Sequence, residues 1–346
     1  MADDTTLRSV LNPDGGSSER CAVRPLSSRT IPTALGCLLA LILVGCAAAP
    51  AGPGPVQVAD PGPGETVQLR WLGAEPPSSH SYGEDPRQVL DVYPVDGGGR
   101  GTIVVVHGGG FTTGDKLEAQ QYFGLLGAQR LRGFGIVSVD YRLTTWTANA
   151  FPTAVTDVSN AIDWIRAHAA SLGLNTSTLV VAGVSAGATI SALIGTAGND
   201  LAPGPLGSVA RVDGWIGFAG AYDFRDDRWA RVSIASLRDQ WLGWNRADMR
   251  FVEAASAVMH LDRGDAPGYV AHGDNDSIVP IRQLDLLVDA ARLSGVTTTL
   301  HVDRVDTGGV DLSTGAAVPC RWHLPMCGTN ATALGAWLDS LARTPS

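Results

Sequence analysis

The sequence predicts an α/β domain built on a largely parallel central sheet. From about residue 66 onward, short runs rich in β-branched residues alternate with amphipathic segments. Several of these runs are apolar without alternation, as in GTIVVVHG at Gly101–Gly108, which indicates strands covered on both faces. Hydrophobic residues make up 45% of the 346 residues, so the chain can form one large core.

The predicted strands and helices follow one another along the chain. The strand segments are TVQLRWLG, QVLDVYPV, GTIVVVHG, FGIVSVDY, TLVVAGV, VDGWIGFAG, PGYVAHG and VTTTLHVD. Helices are predicted where apolar residues recur on one face, at Val155, Val158, Ile162 and Ile165, and at Leu334, Trp337, Leu338 and Leu341 with Thr329 or Asn330 as the cap. No internal repeat is visible, so residues 66–346 are predicted to form a single domain.

The first 65 residues are not expected to belong to this domain. Two arginines precede an apolar run at Ile31–Gly45, which is shorter than the roughly 20 residues that span a bilayer. Residues 1–45 are therefore predicted to be an export signal, and the Pro/Gly-rich residues 46–65 a flexible tether. The residues LVGC, ending at Cys46, resemble the lipobox of bacterial lipoproteins, which implies a lipid on Cys46 and a membrane-anchored place in the bacterial cell envelope. The alternative is an ordinary export signal in which Cys46 is incidental.

The net charge of the sequence indicates which kinds of binding partner are unfavourable. The formal net charge is −9, and the four Arg and four acidic residues of residues 1–45 cancel, so the remainder carries the whole excess. An acidic body argues against nucleic acid, or an anionic membrane face, as the main partner.

Export also changes how the five cysteines are interpreted. Two leave with the signal and Cys46 would carry lipid, so only Cys320 and Cys327 remain in the exported body. In an oxidising compartment these two most simply form a disulfide. They flank His323 in the segment PCRWHLPMCG, and this C-x2-H-x3-C spacing also offers three ligands to a metal, although no fourth ligand is near.

The segment GVSAG, Gly183–Gly187, directly follows a buried strand and opens a helical segment. G-x-S-x-G in this context is typical of a nucleophile elbow, in which a serine sits on a sharp turn between strand and helix. The flanking glycines leave room in a turn too tight for side chains. The free N–H groups and positive dipole end of the helix favour negative charge beside Ser185. Ser185 is therefore the predicted nucleophile.

Three consecutive glycines in HGGGF, His107–Phe111, follow the strand GTIVVV. They form either a flexible loop or a place where backbone N–H groups approach a reacting oxygen. Acyl transfer requires such donors for the oxyanion of its tetrahedral intermediate. Gly109 and Gly110, with the N–H of Ala186, are the predicted oxyanion hole.

These motifs occur together in a fixed order, as HGGGF with GDK, VSVDYRL, FPTAVTDVSNAIDWIRAHAASLGLNTSTLVVAGVSAG and HGDNDSIVP. As a set they resemble the α/β-hydrolase superfamily, within its hormone-sensitive-lipase-like and its feruloyl-esterase- and arylformamidase-like carboxylesterases. The resemblance covers nearly everything from Val67 onward. It implies an α/β-hydrolase fold with a mostly parallel eight-stranded sheet flanked by helices, here without a large N-terminal cap. It also implies hydrolysis of carboxylic esters or related amides, with no metal and no organic cofactor.

In this fold the acid and then the histidine follow the serine along the chain. Asp274 and Asp276 are both candidates, and the resemblance places the acid at Asp276, while Asp274 suits a turn that hydrogen bonds its own backbone. Only two histidines follow Asp276. His301 is predicted to lie mid-strand, and His323 precedes the last helix, where the family's base comes, so His323 is favoured. A Cys320–Cys327 disulfide would close a loop of eight residues around it.

Together these residues predict a serine esterase that forms an acyl-enzyme intermediate with a small ester, of short acyl or aryl type. Ser185 attacks, His323 transfers the proton and Asp276 orients the imidazole. The alternatives are an arylformamidase-like amide hydrolase and a surface lipoprotein that binds without turnover.

Three further expectations concern the surroundings of the site. His107 is expected to brace the glycine loop, and Asp140 and Arg142 are expected to form an internal support pair. The tryptophans of residues 221–260 either line an acyl or aromatic pocket or belong to the core, and these are Trp229, Trp241 and Trp244.

Overall fold

A computed structural model of the chain describes most of the predicted domain. The described residues are 77–117, 129–130, 132–198, 204–226, 238–296, 300–305, 309–310, 317–318, 323 and 331–342. All of them belong to the unit Val67–Ser346, one of two into which the chain divides. The export signal, the tether, the predicted strand TVQLRWLG and several single residues lie outside these ranges and stay predictions, namely Cys46, Trp229, Cys320, Cys327, Thr329 and Asn330.

Strands and helices alternate through the middle of the described chain. In order, the elements are β1 Ser78–Ser81, β2 Val89–Tyr93, β3 Gly101–Val106, β4 Phe134–Val139, α1 Thr153–His168, β5 Leu179–Val184, α2 Ala186–Ala197, β6 Gly214–Phe218, α3 Met249–Ala254, β7 Gly268–Gly273, α4 Arg282–Ser294, β8 Leu300–Val305, β9 Gly309–Val310, β10 Ala317–Val318 and α5 Ala331–Leu341. Strands β2 to β8 each overlap one of the predicted strand segments.

Eight strands form one sheet in the order β1-β2-β4-β3-β5-β6-β7-β8. The pairs β1–β2 and β2–β4 are antiparallel, whereas every other neighbouring pair is parallel. This confirms the predicted mostly parallel sheet of eight strands. Because β3 and β5 to β8 run the same way, their carboxyl ends meet at one edge, where open α/β sheets bind ligands.

The core occupies both faces of this sheet, as the apolar strand runs predict. Val104 and Val106 of β3 belong to the cluster that includes residues of α1 and α2. Ile103 and Val105, which point the other way, belong to the cluster that includes residues of α5. The sheet is therefore covered by helices on both sides.

Both predicted helix faces are confirmed. The predicted apolar residues of α1, which are Val155, Val158, Ile162 and Ile165, are fully buried. In α5, Leu334 and Leu338 are fully buried, while Trp337 and Leu341 pack against the core from a partly buried position. Among the described residues, no helix is both long and apolar enough to cross a bilayer.

Two strand pairings were not predicted. β1 has the polar sequence SSHS and pairs with β2 as an exposed edge strand. β9 and β10 pair with each other in a segment for which no strand was predicted. In both cases the backbone hydrogen bonds between strands require no apolar side-chain pattern, so the sequence carries little signal for them.

Candidate active site

Ser185 lies between β5 and α2, on the sharp turn that GVSAG predicts. Its backbone angles are φ 53° and ψ −118°, a conformation that non-glycine residues rarely adopt. The backbone segments around Ser185 approach each other closely, and glycine at positions 183 and 187 makes this possible. A Cβ atom at Gly187 would lie 2.6 Å from His107 O, and one at Gly183 would lie 2.8 Å from Ala188 N. The strand and the helix therefore pass closely enough to hold the serine at the sheet edge.

The backbone of Ser185 is anchored while its hydroxyl takes no part in the helix. Its N–H donates to Phe218 O at 2.8 Å, and its carbonyl accepts from Thr189 N at 3.1 Å. Ser185 is the N-cap residue of α2, yet its side chain makes no capping hydrogen bond. The hydroxyl, on a half-buried residue, is thus left for another partner.

The glycine loop after β3 lies against Ser185. A Cβ atom at Gly108 would be 3.5 Å from Ser185 Cβ. Gly109 and Gly110 have φ values of 86° and 59°, in the left-handed region that favours glycine. Within the described part of the chain, no protein acceptor takes a hydrogen bond from the N–H of Gly109 or Gly110. The loop therefore presents unused amide donors near the serine.

His107 braces this loop, as expected. It is fully buried and stacks on Tyr141, with ring centroids 4.2 Å apart. The Tyr141 hydroxyl lies 3.0 Å from Gly108 O and 3.2 Å from His107 O, so one donor holds both carbonyls. Burial lowers the pKa of His107 to about 4, so the imidazole is neutral at neutral pH.

The expected pair between Asp140 and Arg142 is wrong. Arg142 instead binds Asp157 of α1 through both guanidinium and backbone, with Nη2 2.7 Å from Oδ1 and the backbone N 2.9 Å from Oδ2. Asp140 accepts from Lys116 N at 2.6 Å and lies 3.6 Å from Arg87 Nη2. Asp140 and Arg142, two positions apart, thus pair with different parts of the chain.

The acid and the base that the sequence predicts are in contact. His323 Nδ1 lies 2.8 Å from Asp276 Oδ2. The other carboxylate oxygen, Oδ1, accepts from Ile278 N at 2.7 Å and Val279 N at 2.9 Å. Burial raises the pKa of Asp276, but hydrogen bonds from His272 and His323, together with their charges, outweigh burial and hold this pKa well below its usual range. Asp276 is therefore a carboxylate at any pH near neutrality.

The alternative candidates for the acid and the base, Asp274 and His301, have other contacts. Asp274, two residues before Asp276, is half-buried, and its backbone N–H donates to Val305 O at 3.0 Å. His301 is exposed on β8 and stacks on Tyr269 with centroids 4.6 Å apart. Among the described residues, no hydrogen bond joins the Ser185 hydroxyl to His323. Such bonds are often long without substrate and shorten in the complex.

Of the tryptophans considered for the pocket or the core, two are described, and one histidine near the site was not predicted to contribute. Trp241 is buried and stacks on Phe111 of the glycine loop at 3.9 Å, so it belongs to the core, whereas Trp244 is 80% exposed. His272, at the end of β7, has its Nε2 3.3 Å from Asp276 Oδ2. A histidine inside an otherwise apolar strand is a signal that sequence reasoning could have used for His272.

No metal centre is evident in the described part of the chain, where no three His, Cys, Asp or Glu side chains are grouped to bind an ion. The cysteines of the alternative C-x2-H-x3-C metal site, Cys320 and Cys327, lie outside that part. The contacts that the structure does give suit proton transfer and the binding of an anionic oxygen.

The family match covers Ser185, the glycine loop and Asp276, and ends before His323. Residues 90–290 match the sequence pattern of the BD-FAE family. The chain is 29% identical to esterase LipC of Mycobacterium tuberculosis over 252 residues, which cover 68% of the chain and 60% of LipC. It is 31% identical to the probable carboxylic ester hydrolase LipM of the same organism over 257 residues, which cover 70% of the chain and 57% of LipM. The chain thus spans about three fifths of these curated relatives.

Solved structures show the same fold. Esterase B of Lactobacillus rhamnosis is 19% identical in sequence and superposes with a TM-score of 0.62, over 78% of this chain and 87% of that one. With the strand order and the flanking helices, this likeness identifies the α/β-hydrolase fold.

Proposed function

The chain belongs to the BD-FAE family, and from this premise we propose that it is a serine esterase. It hydrolyses small carboxylic esters through an acyl-enzyme intermediate on Ser185. Its relatives LipC and LipM, an esterase and a probable carboxylic ester hydrolase, support an ester rather than an amide substrate. Amide hydrolysis of the arylformamidase type is the second candidate, because the same residues perform both reactions.

The contact between acid and base carries the proposal. Because Asp276 accepts from His323 Nδ1 at 2.8 Å, the nitrogen without hydrogen is Nε2. As the Ser185 hydroxyl attacks the acyl carbon, Nε2 takes its proton, and Asp276 stabilises the resulting imidazolium. Nε2 then returns the proton to the leaving alcohol. A water molecule, activated in the same way, releases the acid and frees the serine.

The oxyanion is proposed to accept hydrogen bonds from the N–H groups of Gly109, Gly110 and Ala186. The positive φ values of the two glycines and the contact of their loop with Ser185 support this assignment. Ala186 is the first residue of α2, where N–H groups have no acceptor within the helix. One donor of this kind contributes about 3 kcal/mol to lowering the barrier.

Short acyl or aryl esters are the proposed substrate class. Between β6 and β7, the described residues 238–260 contain helical residues 238–242, the six-residue helix α3 and short 3-10 turns. Trp241 from this segment packs on the loop that carries the oxyanion donors. The described part of this cover, made of short helices and turns, supports a short acyl or planar aryl group as the substrate.

The test compares substrates and labels the nucleophile. We expect p-nitrophenyl acetate and butyrate to be hydrolysed faster than the octanoate, and a fluorophosphonate to modify Ser185, located by peptide mass spectrometry. N-formylkynurenine cleaved with a higher kcat/KM than any ester would favour the amidase. Absence of both hydrolysis and labelling would favour a protein that binds without turnover.

The proposed Cys320–Cys327 disulfide gives a second test. Replacing both cysteines by serine is expected to lower the free energy of unfolding by about 2–3 kcal/mol, because the closed loop no longer restricts the unfolded chain. Turnover should fall as well, since His323 lies inside that loop. Thermal unfolding and kcat, with and without dithiothreitol, measure both effects. Dithiothreitol should reproduce the loss in the wild type and leave the double variant unchanged; loss of activity on chelation instead would support the metal site.

A further inference from the structure

His272 is a buried histidine that the mechanism above does not use. It lies at the end of β7, four residues before Asp276, and is fully buried. Its Nε2 lies 2.9 Å from Val279 O and 3.3 Å from Asp276 Oδ2. The imidazole therefore faces the acid and the turn that carries the acid at the same time.

The surroundings of His272 determine which ring nitrogen carries the hydrogen. Both oxygens near Nε2, a carbonyl and a carboxylate, accept hydrogen bonds and cannot donate, so Nε2 must be the N–H. Nδ1 is buried and has no hydrogen-bond partner among the described residues. A hydrogen on Nδ1 would be a buried donor without an acceptor, which is costly. The geometry thus selects the tautomer with the hydrogen on Nε2.

Four hydrogen-bond donors face the Asp276 carboxylate, two at each oxygen. Oδ1 faces the backbone N–H groups of Ile278 and Val279, and Oδ2 faces the imidazoles of His272 and His323. Three of these donors are parts of β7 or of the turn that follows it. Only His323 comes from a distant part of the chain, and only His323 exchanges protons in the proposed reaction.

We propose that His272 is a positioning residue for the triad acid. Its Nε2–H holds Asp276 Oδ2 in the orientation that His323 Nδ1 requires, ties this oxygen to Val279 O, and shares part of its negative charge. The inference rests on the proposed function and adds a residue to it. His272 is fully buried and, in the described part of the chain, its ring faces Val279 O and Asp276 Oδ2, so it acts through Asp276.

Other charged groups around this pair are few in the described part of the chain. Asp274 lies in the same turn, and Arg304 of β8 is the register partner of His272 and forms an ion pair with Asp285 of α4. Burial raises the pKa of Asp276, and the neighbouring groups that lower it are His272 and His323. A change at His272 should therefore reach His323 through the shared oxygen rather than through a remote charge.

Removing the Nε2–H of His272 should shift the pH profile of catalysis in a definite direction. Without it, Asp276 Oδ2 carries more uncompensated negative charge and stabilises the His323 imidazolium more strongly. The acid limb of the pH profile of kcat/KM, which reports protonation of the general base, should then move to higher pH. A residue that only fills space would lower kcat/KM without moving this limb.

Three substitutions separate the hydrogen bond from the packing. His272→Gln carries an amide N–H as many bonds from Cβ as Nε2, His272→Asn carries one at the distance of Nδ1, and His272→Phe carries none. We expect Asn and Phe to lower kcat/KM for p-nitrophenyl butyrate by about tenfold to a hundredfold, the usual effect of losing a hydrogen bond to a charged group, and to raise the acid limb. Gln should recover most of the rate and return the limb toward its wild-type position.

A readout independent of activity separates this inference from the proposed function. In ¹⁵N-histidine NMR spectra of the wild type, His272, assigned from its absence in His272→Gln, should carry its hydrogen on Nε2. A hydrogen on Nδ1 would overturn the proposal even if no ester is cleaved. Equal pH profiles for wild type, Asn and Phe, in folded and active enzymes, would overturn it as well. A wild type without esterase activity but with the Nε2–H tautomer would count against the function and not against the contact.

Discussion

Ser185→Ala is expected to lower kcat/KM for p-nitrophenyl butyrate by about 10⁴- to 10⁶-fold. The variant has no nucleophile to form the acyl-enzyme, and what remains is the effect of binding and of the oxyanion donors on attack by water. Stopped-flow traces should also lose any burst of nitrophenol, since no acyl-enzyme accumulates. Because Ser185 makes no capping hydrogen bond, thermal unfolding should change little.

Ser191→Ala is the matched control for this loss. Ser191 lies on the same helix, α2, is fully buried, and has no hydrogen-bond partner for its hydroxyl in the described part of the chain. The same substitution there should leave the rate of ester hydrolysis near that of the wild type. If Ser185→Ala kept most of its activity while Ser191→Ala did not, the nucleophile assignment would be wrong.

Asp276→Asn is expected to lower kcat at neutral pH by about 10⁴-fold, the loss typical of this change in a Ser-His-Asp triad. The backbone N–H groups of Ile278 and Val279 face Oδ1, so the oxygen of the asparagine amide stays there and its NH2 group turns toward His323. Two donors cannot hydrogen bond to each other. His323 must then carry its hydrogen on Nε2, and in that tautomer it cannot accept the proton of Ser185.

The pH dependence of stability gives an independent check on Asp276. Its pKa is held below the ordinary value of about 3.9, so its ionised form stabilises the fold above that pH, and this stabilisation is lost as the pH falls through the folded-state pKa. Chemical unfolding should therefore find Asp276→Asn less stable than the wild type at pH 7, with a smaller difference below about pH 4. Asp274→Asn changes a half-buried position in the same turn. It should have little effect on kcat and little effect on the stability relative to the wild type at either pH. An equal loss of kcat in both variants would contradict the choice of acid.

The parts of the fold that the sequence predicts are those in which local pattern and burial agree. The apolar runs of β3 to β7 are buried along their whole lengths, and the spacing of Val155, Val158 and Ile162 matches one face of α1. The elbow at Ser185 is predicted well because its two glycines are required by atoms only a few residues away, or on the neighbouring strand.

The contacts that escape prediction depend on which distant segments meet. Arg142 pairs with Asp157 rather than with Asp140, because α1 brings a fully buried carboxylate to the end of β4. Trp241 stacks on Phe111 across 130 positions of sequence, and nothing in either segment specifies the other. The polar edge strand β1 is defined by its pairing with β2, which leaves no hydrophobic period to detect.

The stack of Trp241 on Phe111 joins the segment between β6 and β7 to the glycine loop after β3. Phe111 has a φ of 67°, unusual for a residue with a side chain, and it follows directly on the proposed oxyanion donors. The segment proposed to recognise the acyl group is thus attached to the groups proposed to bind the oxyanion. Directed evolution of substrate preference between β6 and β7 will therefore change turnover together with selectivity, and libraries that vary positions 111 and 241 jointly will find the productive combinations.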